Sequence, residues 1–175
     1  MEVYRQALTR TEGSPILAED AVRLFAEVGQ TGEALRLISS ALERVPERRD
    51  LRSLEVRLLL QSAQVEEANR RAEDAVARHP DDAGAWYDLA LAARVGGDPS
   101  ASERALRRTL ELEPRHVNAL NDLAVLVASR GELDEAIALV EEVLRVSPGH
   151  PLATENLQLF LAHRQKIAAA HSAGR

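Results

Sequence analysis

The chain has no cysteine, one methionine, one tryptophan, two tyrosines and two phenylalanines in 175 residues. Disulfides, thiolate metal sites and cysteine catalysis are therefore excluded. With so few aromatics, any core must be built from Leu, Val, Ile and Ala, and leucine and alanine favour helix. Lysine is almost missing too, since Lys166 is the sole lysine among 22 basic residues. The net charge of -6 comes without a basic stripe, and phosphate recognition depends on such a surplus, so we expect no nucleic-acid partner. The longest unbroken apolar run, Leu123 to Ala128, is far too short for a membrane span. No apolar stretch follows Met1-Glu2-Val3-Tyr4-Arg5, so no signal peptide and no membrane insertion are expected, and the cytoplasm is the expected compartment.

What is present is a period. Pro46, Pro80, Pro114 and Pro148 are each 34 residues apart. Gly29, Gly97 and Gly131 keep the same step, with Ala63 in the remaining place. Ala34, Ala68, Ser102 and Ala136 make a column of small residues, and Leu8, Leu42, Val76, Leu110 and Leu144 make an apolar one. Each column has a physical reading. The glycines sit between two helical patterns, where a helix ends in the left-handed region. The prolines close a second helix, which they cannot continue. The small column lets two helices approach. Each unit thus reads as helix, tight turn, helix, proline-marked turn.

The unit resembles the tetratricopeptide repeat (TPR). Trp86-x-x-Leu89-Ala90-x-x-Ala93 follows the family's first block, with Ala90 and Ala93 departing from its glycine and tyrosine. Ala136-x-x-x-Val140 and Ala34-x-x-x-Ile38 follow its second, and Pro114 and Pro148 its last. The resemblance implies an all-α fold, an α-solenoid of stacked antiparallel hairpins wound into a right-handed superhelix. We expect a single domain over 1–175, with a helix at 2–12, units at 15–48, 49–82, 83–116 and 117–150, a capping helix at 151–168 and a frayed tail at 169–175.

Two departures stand out. In the second unit the columns put Arg52 and Glu55 where apolar residues belong, whereas a one-residue shift restores Leu51, Leu54 and Leu58; a local irregularity is expected between 48 and 62. At the amino end, Tyr4, Ala7 and Leu8 fall in second-helix columns without a first helix before them. Either 2–12 is a natural cap or the chain is cut from a longer array.

No nucleophile elbow, phosphate-binding loop or H-E-x-x-H pattern occurs, so no enzyme, cofactor or metal is expected. His116 and His150 lie one repeat apart, which is too far for one zinc ion. The Glu103/Arg107 and Glu141/Arg145 spacings suit exposed helix faces.

The resemblance implies that first helices line a concave groove where partners lie. On that basis the candidate partner-binding residues are Arg23, Tyr87, Leu91, Arg94, Asn118, Asn121, Val125, Asn156, Leu159 and His163. Leu91, Val125 and Leu159 form an apolar column, while Tyr87, Asn121, Asn156 and His163 are expected to hydrogen-bond a peptide backbone. The groove should be apolar in its carboxy half and more cationic toward Arg23. Asp88 and Asp122 argue against a terminal-carboxylate ligand. The function expected is that of a scaffold binding a peptide or helical segment of another protein. The alternatives are a non-catalytic arm of a larger enzyme and a module that self-assembles through its end helices.

Overall fold

The structure is a computed structural model that describes Phe25 and residues 29–173. Eight named helices follow one another among the described residues: α1 (Thr31–Arg44), α2 (Arg49–Gln61), α3 (Val65–Arg78), α4 (Ala83–Val95), α5 (Pro99–Leu112), α6 (Val117–Ser129), α7 (Leu133–Val146) and α8 (Pro151–Ala173). Each packs on its neighbours in sequence, and first helices also pack across units, α2 on α4 and α6 on α8. The chain is an all-α solenoid. Residues 2–12 and Arg23 lie outside the described residues.

The tight turns follow from the glycine column. Gly29, Gly97 and Gly131 have φ of 76°, 78° and 84°, and Ala63 takes the same left-handed conformation at 57°. A methyl group there is unfavourable by about 1 kcal/mol. Ala63→Gly should therefore raise stability by about 0.5–1 kcal/mol, read from the midpoint of urea unfolding. An unchanged or lower midpoint would mean that the extra freedom of the unfolded chain outweighs the relief.

The column breaks at Gln165. Without a glycine there, α8 runs straight through the position where earlier units turn. It also passes residue 168 and continues to Ala173. Ala168, Ala169 and Ala170 are strong helix formers, and no breaker occurs before Gly174.

Helix starts are capped by the residues that the turns supply. Asp82 accepts from the Gly84 amide at 2.9 Å, and Asp98, before Pro99, accepts from the Ala101 amide at 2.8 Å. His116 and His150 share one role a repeat apart. Each Nδ1 accepts from the amide three residues on, Ala119 at 3.1 Å and Ala153 at 3.2 Å.

The small column lies in the core. Ala34, Ala68 and Ala136 are fully buried, and Ser102 donates its hydroxyl to the Ala90 carbonyl at 2.9 Å, which removes the cost of burying it. The largest apolar cluster joins α4 through α8, around Leu106, Leu120, Leu123, Val127, Val140, Val143 and Phe160. Phe25, Ala34, Ile38 and Leu58 make a separate, smaller one.

The irregularity expected between 48 and 62 is absent. Helix α2 has the same 13 residues as α4 and α6, and its ends fall in step with theirs. Two residues depart from their columns here, and the first takes over its column's role. Trp86 donates its indole N–H to the Pro80 carbonyl at 3.0 Å; one repeat earlier, Arg52 donates from Nε and Nη2 to the Pro46 carbonyl at 2.9 and 2.7 Å. The guanidinium thus replaces the indole as donor. Glu55 takes the column of Leu89 and Leu123 and is buried there. The helix keeps its register although the nearest cation to Glu55, Arg71 on α3, stands 3.9 Å away.

Candidate functional site

The first helices α2, α4, α6 and α8 stand side by side, and the residues they share by position define a groove. At its floor, a polar ladder links each first helix to the next with a step of 35 residues. Ser53 stands beside Asp88 and favours its charged form, Tyr87 donates its hydroxyl to Asp122 Oδ2 at 2.9 Å, and Asn156 donates its amide to Asn121 Oδ1 at 3.0 Å. Arg57 Nε adds a charged bond to Asp88 Oδ1 at 3.3 Å. Burial pushes the Asp88 carboxyl above its ordinary range, and Ser53 and Arg57 pull against that. Burial, followed by the charge of Asp122, raises the Tyr87 hydroxyl.

Three of the polar candidates, Tyr87, Asn121 and Asn156, are part of this ladder. Tyr87 and Asn121 are buried, and Tyr87 also packs its ring 4.7 Å from that of His116. Their polar groups, and that of Asn156, are taken up between repeats. The physical reason is the close approach of adjacent first helices. Polar side chains at the floor reach one another, and an unpaired one would cost about 1–3 kcal/mol. Asp88 and Asp122 are engaged in the same ladder. The spacing of 35 is present in the sequence, but the pairing depends on the distance between two helices, which the pattern of a single helix does not carry.

The apolar candidates are presented differently. Val125 and Leu159 are 47% and 63% exposed, large values for such side chains, and Leu91 is partly buried in line with them. Val125, Leu159 and His163 border one cavity of about 260 Å³, with Ala128, Leu133 and Phe160 behind them. Leu133 and Phe160 were not among the expected site residues. Phe160 follows Leu58, Ala92 and Leu126 in its column, and this change to an aromatic was the available signal. Arg94 and Asn118 are exposed on the flanks, and the exposed Arg57 stands one repeat before Leu91. Arg94 makes no hydrogen bond or ion pair among the described residues.

A second cavity, of about 180 Å³, lies between α2 and α4, lined by Arg49, Arg52, Ser53, His79 and Asp88 among others. Two of its charged groups are engaged, Asp82 as the cap of α4 and Arg52 on the Pro46 carbonyl, while His79 Nε2 is buried without a hydrogen-bond partner among the described residues, with Glu47 3.4 Å away. Among the described residues no group of histidines and acids is placed to hold a metal ion, and no helix is long and apolar enough to cross a membrane.

The geometry of paired helices, left-handed turns and a first-helix groove agrees with the comparisons. Two family profiles, each described as tetratricopeptide repeat, match residues 25–95 and 87–151. The chain belongs to the tetratricopeptide repeat family. Solved structures of the same architecture include TTC0263, a thermophilic TPR protein of Thermus thermophilus, with a TM-score of 0.76, 21% identity and 92% of this chain covered against 88% of that one. The MamA protein has a TM-score of 0.69 at 21% identity, covering 86% of this chain and 82% of its own. YrrB, described as a TPR protein with an unusual peptide-binding site, has a TM-score of 0.64 at 21% identity, over 93% and 84%. No curated protein matches the chain in sequence. Family and fold support a general role as a scaffold for protein interaction.

Proposed function

We propose that the chain binds a segment of a partner protein along the carboxy half of its concave groove, anchored by an apolar side chain in the Val125–Leu159 cavity. The observation that carries this reading is the exposure of Val125 and Leu159 at the mouth of a cavity of about 260 Å³ backed by Phe160. A side chain of leucine or phenylalanine size fits within that space and would cover two exposed apolar residues.

The spacing narrows the ligand. Adjacent first helices pack about 8–10 Å apart, so Leu91, Val125 and Leu159 present one apolar contact per step of that size. A polyproline-type segment returns to the same face every three residues, after about 9 Å. A helical segment does so every seven, after about 10.5 Å. Either fits with apolar anchors at those intervals. The backbone of the segment would find few free groups on the ladder, so affinity rests on the anchors, with Arg94 offering a flanking charge. YrrB supports the reading as a relative described as peptide-binding.

Selection of a displayed random peptide library on the immobilised chain tests this. Enriched sequences should carry apolar residues three or seven apart, and Val125→Arg or Leu159→Arg should weaken their binding by about tenfold or more. Both side chains are exposed, so circular dichroism of the variants should match the wild type. Enriched peptides that bind the Val125→Arg/Leu159→Arg double variant unchanged would move the site elsewhere.

A further inference from the structure

The opposite side of the solenoid carries another opening. A cavity of about 400 Å³ lies in the groove between the second helices α3 and α5, floored by Trp86 and Leu89 of α4. The next groove along, between α5 and α7, is braced by charge. Arg107 Nη2 on α5 reaches Glu135 Oε1 on α7 at 2.9 Å, and Arg130, in the turn, pairs with Glu103. One repeat earlier the corresponding residues are Glu73 for Arg107, Ala101 for Glu135, Gly96 for Arg130 and Asn69 for Glu103. Every member of the brace is replaced, and Asn69 turns back to donate to the Val65 carbonyl of its own helix at 3.2 Å.

Two consequences follow. The end of this groove stays open because residue 96 has no side chain; a Cβ there would stand 3.2 Å from Asn69 Nδ2 and 3.4 Å from Val65 Cγ1. The walls keep unneutralised charge of opposite sign. Glu73 on α3 and Arg104 on α5 both border the cavity and both are exposed. Neither forms a hydrogen bond or an ion pair among the described residues. Between them lies the chain's one tryptophan, whose N–H is already given to Pro80, so only its ring surface is available.

We propose that this groove is a second docking site, taken by a helical segment of a partner protein that presents a basic and an acidic residue one turn apart. The basic side chain lies over Trp86 with its head at Glu73, and the acidic one meets Arg104. An arginine or lysine suits an indole face beside a carboxylate, because the ring's negative face attracts the cation and its apolar body covers the stem. A ligand of a single charge sign would bring one wall into like-charge repulsion, so the pair is selected by complementarity. The proposal is independent of the concave groove, on the other side of the first helices.

The probes are blocked helical peptides of about twelve residues with Arg and Glu four apart, together with versions of the same length carrying only Arg or only Glu. Because Trp86 is the sole tryptophan, its emission reports occupancy directly. The mixed-charge peptide should shift the emission saturably and the single-sign peptides should not. Glu73→Arg and Arg104→Glu should each weaken its binding about tenfold. The Glu73→Arg/Arg104→Glu double variant should instead prefer the peptide with Arg and Glu exchanged. Val125→Arg/Leu159→Arg should bind as the wild type does. An emission shift that is equal for all peptides, is indifferent to both charge reversals, or is absent for every peptide at millimolar concentration would overturn the proposal.

Discussion

Glu55→Leu should make the chain more stable by about 2 kcal/mol at neutral pH. Its side chain is only 5% exposed and lies in the column that holds Leu89 and Leu123 one and two repeats on. The compensation it receives is thin. Arg71 approaches no closer than 3.9 Å and gives its Nε to Glu67 at 2.8 Å instead. Burial therefore pushes the Glu55 carboxyl above its ordinary value of 4.5, with Arg71 and Arg52 opposing and Glu67 and Asp74 reinforcing. Leucine has a similar volume, carries no charge to desolvate and matches its column.

The sign of the pH dependence follows. An acid whose folded-state pKa is raised binds its proton more tightly in the fold, so its contribution is most favourable below 4.5 and is lost as pH rises through the raised value. Other carboxylates act in the opposite sense. Glu103, held by Arg130 and Arg107, is lowered to about 2, and Asp50 and Asp74 are lowered by Arg48 and Arg78. Their contribution is present above their ordinary values and disappears in acid. The difference between wild type and Glu55→Leu cancels these and isolates Glu55. Urea unfolding at pH 4 and pH 7 should give a larger gain from leucine at pH 7. A gain of the same size at both, or a loss at pH 7, would show that Glu55 is not held against its desolvation as described.

Glu55 also marks where the sequence was legible and where it was not. The family, the helical class and the positions of turns rest on backbone rules that local residues obey. Glycine marks a left-handed φ, proline closes a helix, and small residues mark a close crossing. Those rules held even through Arg52 and Glu55, where side-chain chemistry suggested a slipped register. The slip rests on polarity alone, and polarity is overridden when a guanidinium makes an indole's hydrogen bond. The groove was half legible. Exposure of Val125 and Leu159 follows from helical periodicity, which one helix suffices to display. The pairing of Tyr87 with Asp122 and of Asn121 with Asn156 depends on the distance between two helices, which no single-helix pattern encodes. The backing of the cavity by Leu133 depends on the same distance, whereas Phe160 is marked in the sequence by the change to an aromatic in its column.

Ala124→Gln should cost about 3 kcal/mol or more, while Gln158→Ala, one repeat on, should change stability by less than about 0.5 kcal/mol. The two positions are equivalent in sequence and opposite in environment. Ala124 is fully buried on α6 among the residues packed against α7. A glutamine there adds volume to a filled crossing and buries an amide without a partner. Gln158 on α8 is exposed, because α8 runs straight where earlier units fold a second helix back. A polar residue is thus free to occupy a small-residue column wherever the hairpin is not closed. Because each repeat touches only its neighbours, the damage should also stay local. In Ala124→Gln, amide hydrogen exchange should accelerate in α4 through α8, which share one core cluster, and remain slow in α1, α2 and α3. Equal acceleration in α3 would mean that the solenoid opens as one cooperative unit, and a tolerated glutamine would mean that the α6–α7 crossing has slack that the burial of Ala124 conceals.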